Sequence, residues 1–542
     1  MSYHRIDSAT LTQMFLMGTQ FLSTEKETVN ALNVYPVPDG DTGTNMSLTM
    51  GSAVAELQKK TFATCAEVSK SVAKGSLMGA RGNSGVILSQ IFRGFSKGCE
   101  GKETLTVPEF AHALKEASDM AYRAVLKPVE GTILTVIRET AESAVAVAEE
   151  DMLFHHFFKL ILDHARKALD RTPELLAVLK QAGVVDAGGK GLLLILQGFE
   201  AVIAGQTPAA EGEELVQAQL SKPAPAQPAH AEIHYAYCTE FIIRSAQGAD
   251  ADFRAFLEAQ GDSLVFVTDE DVVKVHLHTN HPGAVLERAL RIGELVNIKI
   301  ENMKEQHHNL LTEDRTAPMT EVPEKPFGFI AVAAGGGLSK IFRDLGVDVV
   351  IEGGQTMNPS TEDILKGIDQ IRARCIFVLP NNSNIILAAN QAQALSDRRI
   401  IVLPTKTIPQ GIAAMVQFNP DHSEEENGSR MAQAMKAVST LQVTYSVRDT
   451  QMGDREIRKD DTLGILNGDI VASGADRDAV ILQALEVAVT ENCEILTLYY
   501  GESVSEEEAQ ALAEALESRY GQLEIEVYSG GQPVYSHLFS IE

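Results

Sequence analysis

Through the first two hundred residues, apolar positions recur at intervals of three and four and nowhere alternate. Eight segments follow this rule: 9–24, 46–59, 65–77, 84–97, 107–126, 133–149, 152–172 and 188–204. Each reads as a helix with one buried stripe. From 237 onward the period changes. Strands are predicted over 237–244, 263–268, 272–279 and 296–302, with helices over 251–260 and 283–292. That order is βαββαβ, in which the first and third strands are neighbours. Alternation then sorts their side chains. Phe241, Ile243, Val273, Val275 and Leu277 go inward, and Cys238, Glu240, Arg244, Lys274, His276 and His278 share the opposite face. Beyond 327, strands over 327–333, 347–351, 375–379 and 400–403 alternate with helices, the pattern of a parallel α/β sheet. Longer strands and helices follow after about 439. The stretches 206–231 and 311–326 are polar and proline-bearing and read as tethers. The expected organisation is therefore multidomain. An all-α domain spans 1–205, an α+β domain 232–310, and an α/β domain 327–542 with an internal break near 439.

A length of 542 residues agrees with several cores. The net charge of −28 argues against nucleic acid and against anionic membrane surfaces, and favours a basic protein partner. Five scattered cysteines suggest a reducing compartment. With no signal-peptide pattern at the N-terminus and no run of roughly 18 apolar residues, the expected location is cytoplasmic, with no integral membrane segment.

The stretch from Asn33 to Asn45 carries the sharpest chemistry. Asp39 and Asp41 alternate with Gly40 and Gly43, followed by Thr42, Thr44 and Asn45, just ahead of a helix. Carboxylates converging on a flexible turn are the ligands that hard divalent cations prefer, and Mg2+ completes its shell with phosphates and water. Gly82-Asn83-Ser84-Gly85 opens a second helix, whose unpaired N–H groups would cradle phosphate. Pro128 to Thr132, containing Gly131, and Asp186 to Gly189 precede two more helix starts. No GxxxxGK[ST] string exists, so charge neutralisation falls to metal ions, backbone N–H groups and Arg81. In the middle domain, Cys238, His276 and His278 fit either a zinc site or acid–base work on a phosphoryl group. His281, His307 and His308 are weaker candidates. Gly335-Gly336-Gly337 is not a dinucleotide fingerprint, and the acidic run Glu506 to Glu508, with Glu514 and Glu517, is either a solvated helix face or a docking surface.

The string NVYPVPDGDTGTN resembles the nucleotide loop of the dihydroxyacetone kinase ATP-binding domain, the DhaL or DAK2 family. GARGNSGVILSQIFRGF and VVDAGGKGLLLILQGF fit the same family. The whole chain resembles the larger DAK2 and DegV-like proteins, the ATP-binding subunits of bacterial fatty acid kinases. The resemblance implies a helical barrel first and a DegV-like domain last. It implies ATP with two Mg2+ ions on Asp39 and Asp41, and Thr42, Thr44, Asn45, Asn83, Ser84, Gly131 and Asp186 around the nucleotide. YCTEF and KVHLHTNHPG stand intact, which implies catalytic roles for Cys238, His276 and His278. Family members carry an aspartate five residues before Asp39, where this chain has Val34. Asn33 is the neighbouring candidate for the third metal ligand. The implied activity is phosphorylation of a fatty acid carboxylate presented by a DegV-type fatty acid binding protein. A dihydroxyacetone-type kinase, a non-catalytic nucleotide-binding adaptor and a zinc hydrolase are the alternatives. The open sheet face makes a homodimer through the middle domain plausible.

Overall fold

The computed structural model describes residues 3–33, 40–125, 127–208, 237–244, 251–269, 272–302, 325–354, 357–452 and 455–542. Asp39, His307 and His308 lie outside them, as do the side chains of Cys238, His276 and His278. Residues 1–221 and 324–542 make one compact unit, and 222–323 make a second.

In the first unit, the amphipathic segments become α1 (Ser8–Thr24), α2 (Lys26–Ala31), α3 (Thr42–Leu57), α4 (Cys65–Met78), α5 (Gly82–Gly98), α6 (Val107–Ala124), α7 (Ile133–Val147), α8 (Phe154–Asp170), α9 (Thr172–Leu175), α10 (Ala177–Ala182) and α11 (Ala187–Ile203). Helices α2, α9 and α10 are too short to show a period and escape sequence reading. The long helices touch in the order α1, α3, α4, α5, α6, α7, α8, α11, and α11 returns to α1. Inside the ring, Phe15 meets Phe92, Phe95 and Phe199 edge to face, as do Phe95 with Phe110 and Phe110 with Phe157 and Phe158. Such aromatic pairs add roughly 0.5–1.5 kcal/mol each beyond area burial.

The smaller unit has β1 (Tyr237–Arg244), α12 (Ala251–Gln260), β2 (Gly261–Asp269), β3 (Val272–Thr279), α13 (Pro282–Ala289) and β4 (Glu294–Asn302). Its antiparallel sheet runs β2-β3-β1-β4. Phe241, Ile243, Val273, Val275 and Leu277 are buried against α12 and α13.

After residue 324 come β5 (Lys325–Ala333), α14 (Gly336–Asp344), β6 (Val349–Glu352), α15 (Thr361–Gln370), β7 (Ala373–Leu379), α16 (Ile386–Leu395), β8 (Arg399–Val402), α17 (Ile408–Val416) and α18 (Glu424–Ala437). Their sheet is parallel in the order β6-β5-β7-β8. The chain then forms β9 (Ser439–Tyr445), β10 (Thr450–Met452), β11 (Arg455–Ile457), β12 (Thr462–Leu466), β13 (Asp469–Gly474), α19 (Arg477–Ala488), β14 (Ile495–Tyr500), α20 (Glu506–Arg519), β15 (Glu524–Ser529) and β16 (His537–Ile541). Six of these strands build a second sheet ordered β13-β12-β9-β16-β14-β15. The triple glycine joins the two sheets. A Cβ on Gly337 would lie 1.9 Å from the Ser529 carbonyl oxygen, and Leu338 N–H donates to Gly530 O at 3.0 Å. Backbone fills this turn, so it is a packing device. The acidic run opens α20, where Glu508 and Ser505 form a capping box.

The helical ring and the parallel sheet share a core. Ala80 and Val86 at the start of α5 are buried in one cluster with Ile364, Ile385 and Ala388. Gln391 Nε2 donates to Leu77 O at 3.0 Å, and Thr361 N–H donates to Ala80 O at 3.2 Å. No helix among the described residues is long and apolar enough to cross a membrane.

Candidate functional site

Four helix starts of the ring meet at one cavity of about 260 Å3. Its lining takes Thr42 from α3, Asn83 and Ser84 from α5, Thr132 and Ile133 at the start of α7, and Asp186, Ala187 and Gly188 at the start of α11. The first N–H groups of a helix have no partner within it, and the aligned peptide dipoles make that end positive. Several such ends around one space suit polyphosphate. The lining also has apolar side chains, Leu32, Ile87, Val125, Leu134 and Leu179, and Val129, which is 49 % exposed. Polar helix starts and apolar side chains around one space match a nucleoside phosphate.

Local chemistry fixes each start. Arg81 is the extended N-cap of α5 and Gly82 has φ +56°, where a Cβ would stand 2.5 Å from Asn45 Nδ2. Only glycine fits that turn without strain. Thr132 caps α7 by accepting from Leu134 N–H at 3.3 Å. Asp186 caps α11 by accepting from Gly189 N–H at 2.7 Å, and its own N–H donates to Thr172 Oγ1 at 3.0 Å. Burial pushes the Asp186 carboxyl up to about 6, against the pull of the Gly189 and Ile133 N–H groups.

At α3 the N-cap is Asp41, 9 % exposed, whose carboxylate makes no capping bond. It accepts instead from Nδ2 of Asn358, a residue 317 positions away in the loop before α15. Asn358 is 1 % exposed, and its Oδ1 has no hydrogen-bond partner among the described residues. A buried carboxylate in contact with an amide whose own oxygen is unpartnered brings together the oxygen types that a hard divalent cation takes. Among the described residues, no group of three or more His, Cys, Asp or Glu suits a metal ion.

The other sequence-predicted residues divide. Asn33 lines the cavity, and its carbonyl accepts from Arg448 Nη2. Thr44 is turned to α2, accepting from Asn30 Nδ2 at 3.1 Å while its N–H donates to Asn30 Oδ1 at 3.2 Å. Asn45 is buried beneath Gly82. Gly131 has φ +83° and packs on Leu176 and Thr172, so it shapes the turn behind the lining. Arg81 donates to Asn358 O at 2.8 Å and pairs with Asp363 at 3.4 Å, away from the role of phosphate cation. Among the described residues, the cation that lines the cavity is Lys127, which carries no motif and escaped sequence reading. Arg448, which also donates to Ala31 O at 2.8 Å, was equally invisible.

In the smaller unit, the β1–β3 register sets Cys238 opposite His278 and Glu240 opposite His276. These positions alternate with the buried Thr239, Phe241 and Ile243. His281 is the residue before α13.

Three family models match the chain. The DAK2 domain covers residues 36–201, the FakA-like middle domain of fatty acid kinases 234–310, and the FakA-like C-terminal domain of the same kinases 328–542. Protein YloV of Bacillus subtilis (strain 168) is 44 % identical over 553 residues, covering 100 % of both chains. A protein of Staphylococcus saprophyticus is 41 % identical, covering 99 % of this chain and 100 % of its own. Among solved structures, a DegV family protein from Corynebacterium glutamicum aligns at 14 % identity and TM-score 0.32, over 40 % of this chain and 97 % of its own. The dihydroxyacetone kinase of C. freundii aligns at 14 % identity and TM-score 0.30, over 41 % of this chain and 49 % of its own. Scores that low establish no common fold.

Proposed function

Because the chain belongs to the FakA-like family, a kinase family, we propose that it transfers the γ-phosphoryl group of ATP to a fatty acid carboxylate presented by a DegV-type binding protein. A carboxylate oxygen bonds to the γ-phosphorus as the bond to the β–γ bridging oxygen breaks, giving acyl phosphate and ADP. The observation that carries the reading is the meeting of four helix starts on one cavity beside Asp41.

In this reading the N–H groups at Asn83, Ser84 and Gly188 hold the phosphates, Lys127 adds positive charge, and the apolar side chains take the base. Asp41, with Asp39, holds Mg2+, which neutralises charge on the phosphates. Positioning and charge neutralisation are most of what phosphoryl transfer asks of a protein. Cys238, His276 and His278 are assigned to the acceptor, with a histidine as acid–base or phosphate contact. Zinc on the same three residues is a second occupant to test by metal analysis.

The test is ADP release by the full chain with Mg-ATP, with and without a DegV-type carrier loaded with fatty acid. Carrier-dependent turnover, lost in Asp41→Asn and in His276→Ala, supports the reading. Tight ATP binding with no turnover on any loaded carrier overturns it in favour of a nucleotide-binding adaptor.

A further inference from the structure

The helical ring does not own its metal-loop residues outright. Asp41 accepts from the side chain of Asn358, Asn83 Nδ2 donates to Asn384 Oδ1 at 3.2 Å, and the Asn33 carbonyl is held by Arg448. All three partners come from the chain beyond residue 324, and all lie in the same compact unit as the ring. Of these contacts, the one at Asp41 is chemically incomplete.

An amide has one donor side and one acceptor side. On Asn358 the donor faces Asp41, and the acceptor, although the residue is 1 % exposed, meets no donor among the described residues. Leaving such an atom buried is unfavourable, because it gives up its bond to water and gains none in the fold. The backbone around it is pinned: Arg81 donates to the Asn358 carbonyl at 2.8 Å, and Gly354 N–H donates to Met357 O at 3.0 Å. The side chain is therefore held against Asp41, with Gly82 beside it: a Cβ there would lie 3.4 Å from Asn358 Nδ2. A half turn about the last side-chain torsion exchanges nitrogen for oxygen at that point. It turns a hydrogen bond to Asp41 into a second oxygen beside the carboxylate.

We propose that Asn358, from the C-terminal part of the chain, supplies an amide-oxygen ligand to the divalent cation held by Asp41. The cation site is then built by both parts of the larger unit. The proposal rests on the reading of Asp41 as a metal ligand. Hard cations take neutral amide oxygens alongside carboxylates.

The experiment uses Mn2+ as a paramagnetic stand-in for Mg2+. Free Mn2+ is titrated by EPR against the full chain in the presence of ADP, with melting curves as the check on folding. Wild type, Asp41→Asn, Asn358→Ala and Asn358→Asp are compared. Asp41→Asn is expected to abolish tight Mn2+ binding. Asn358→Ala is expected to weaken it about tenfold or more, the scale of losing a metal-site group. Asn358→Asp keeps the oxygen and is expected to bind at least as tightly as wild type. If Asn358 acts only as a hydrogen-bond donor that orients Asp41, Asn358→Ala weakens binding as well, and Asn358→Asp, which keeps an oxygen but has no N–H to donate, weakens it about as much. Unchanged or tighter binding there, with binding lost in Asp41→Asn, overturns the ligand role and leaves the Asp41 reading standing. Tenfold weaker binding in Asn358→Asp overturns it as well. Unchanged binding in Asp41→Asn, or no tight Mn2+ site in wild type, sinks both readings together.

Discussion

Asp186→Asn should make the protein more stable at neutral pH and flatten its response to pH. In the folded chain the Asp186 carboxyl titrates at about 6, raised from 3.8 chiefly by burial. A shift of that size corresponds to ~3 kcal/mol. The sign follows from proton binding. Below the unfolded value both states are protonated and the group contributes nothing. As pH rises from about 4 to 6, the unfolded chain gives up its proton first, so the folded state binds more protons and stability falls. Above the folded value the loss is complete. Of the total, about 1 kcal/mol falls between pH 5 and 7.5, given two such titrations, and this range stays above the sequence pI of about 4.9. Asparagine retains an oxygen for the Gly189 N–H but carries no charge, so it escapes this cost. It also forgoes about 0.3–1 kcal/mol of attraction to the helix dipole. The net expectation at pH 7.5 is a gain of ~2 kcal/mol. Urea unfolding of wild type and variant at half-unit steps from pH 5 to 7.5 measures it. Parallel profiles would refute the assignment of a buried, late-titrating carboxyl. The same substitution should tighten ATP binding at pH 7.5, because a negative charge leaves the lining.

Arg448→Ala removes two guanidinium donors from the carbonyls of Ala31 and Asn33; hydrogen bonds to a charged group contribute about 1.5–3 kcal/mol each at most. Hydrogen exchange just after α2 should rise and ATP affinity should drop, while the circular dichroism spectrum stays unchanged. Lys127→Ala should weaken ATP binding far more than adenosine binding, measured by calorimetry, since its charge addresses the phosphates. Equal losses for both ligands would place the side chain elsewhere. Gly337→Ala forces a methyl group to within 1.9 Å of the Ser529 carbonyl oxygen, and overpacking against backbone costs at least 1–3 kcal/mol. Its thermal midpoint should fall, and Gly346→Ala, with nothing within 4 Å of the added Cβ but φ at +90°, should lose less.

Much of the local structure was legible because period is a local property. Segments predicted over 9–24, 65–77 and 107–126 became Ser8–Thr24, Cys65–Met78 and Val107–Ala124. The predicted neighbouring of the first and third middle strands is present as the β1–β3 pairing. The helix starts at Thr42, at Asn83 and Ser84, and after Asp186 were legible too, because caps and glycines announce unpaired N–H groups wherever a helix sits in the fold. Reading failed where a residue's role is set by what lies across from it. Arg81 looks like a phosphate ligand in its own string, yet its guanidinium is satisfied by Asn358 and Asp363. Lys127 has no pattern around it, and only the closing of the ring sets it on the cavity. Gly335 to Gly337 were read as no dinucleotide fingerprint, but that the backbone of Ser529 and Gly530 fills their turn is set from across the fold. Which segments are helix or strand, and where helix starts leave N–H groups unpaired, follows from neighbours two to four residues apart. That Asn358 reaches Asp41 across 317 positions follows from long-range packing alone. That contact comes from packing α5 against the parallel sheet through Ala80 and Val86, and no local pattern encodes it.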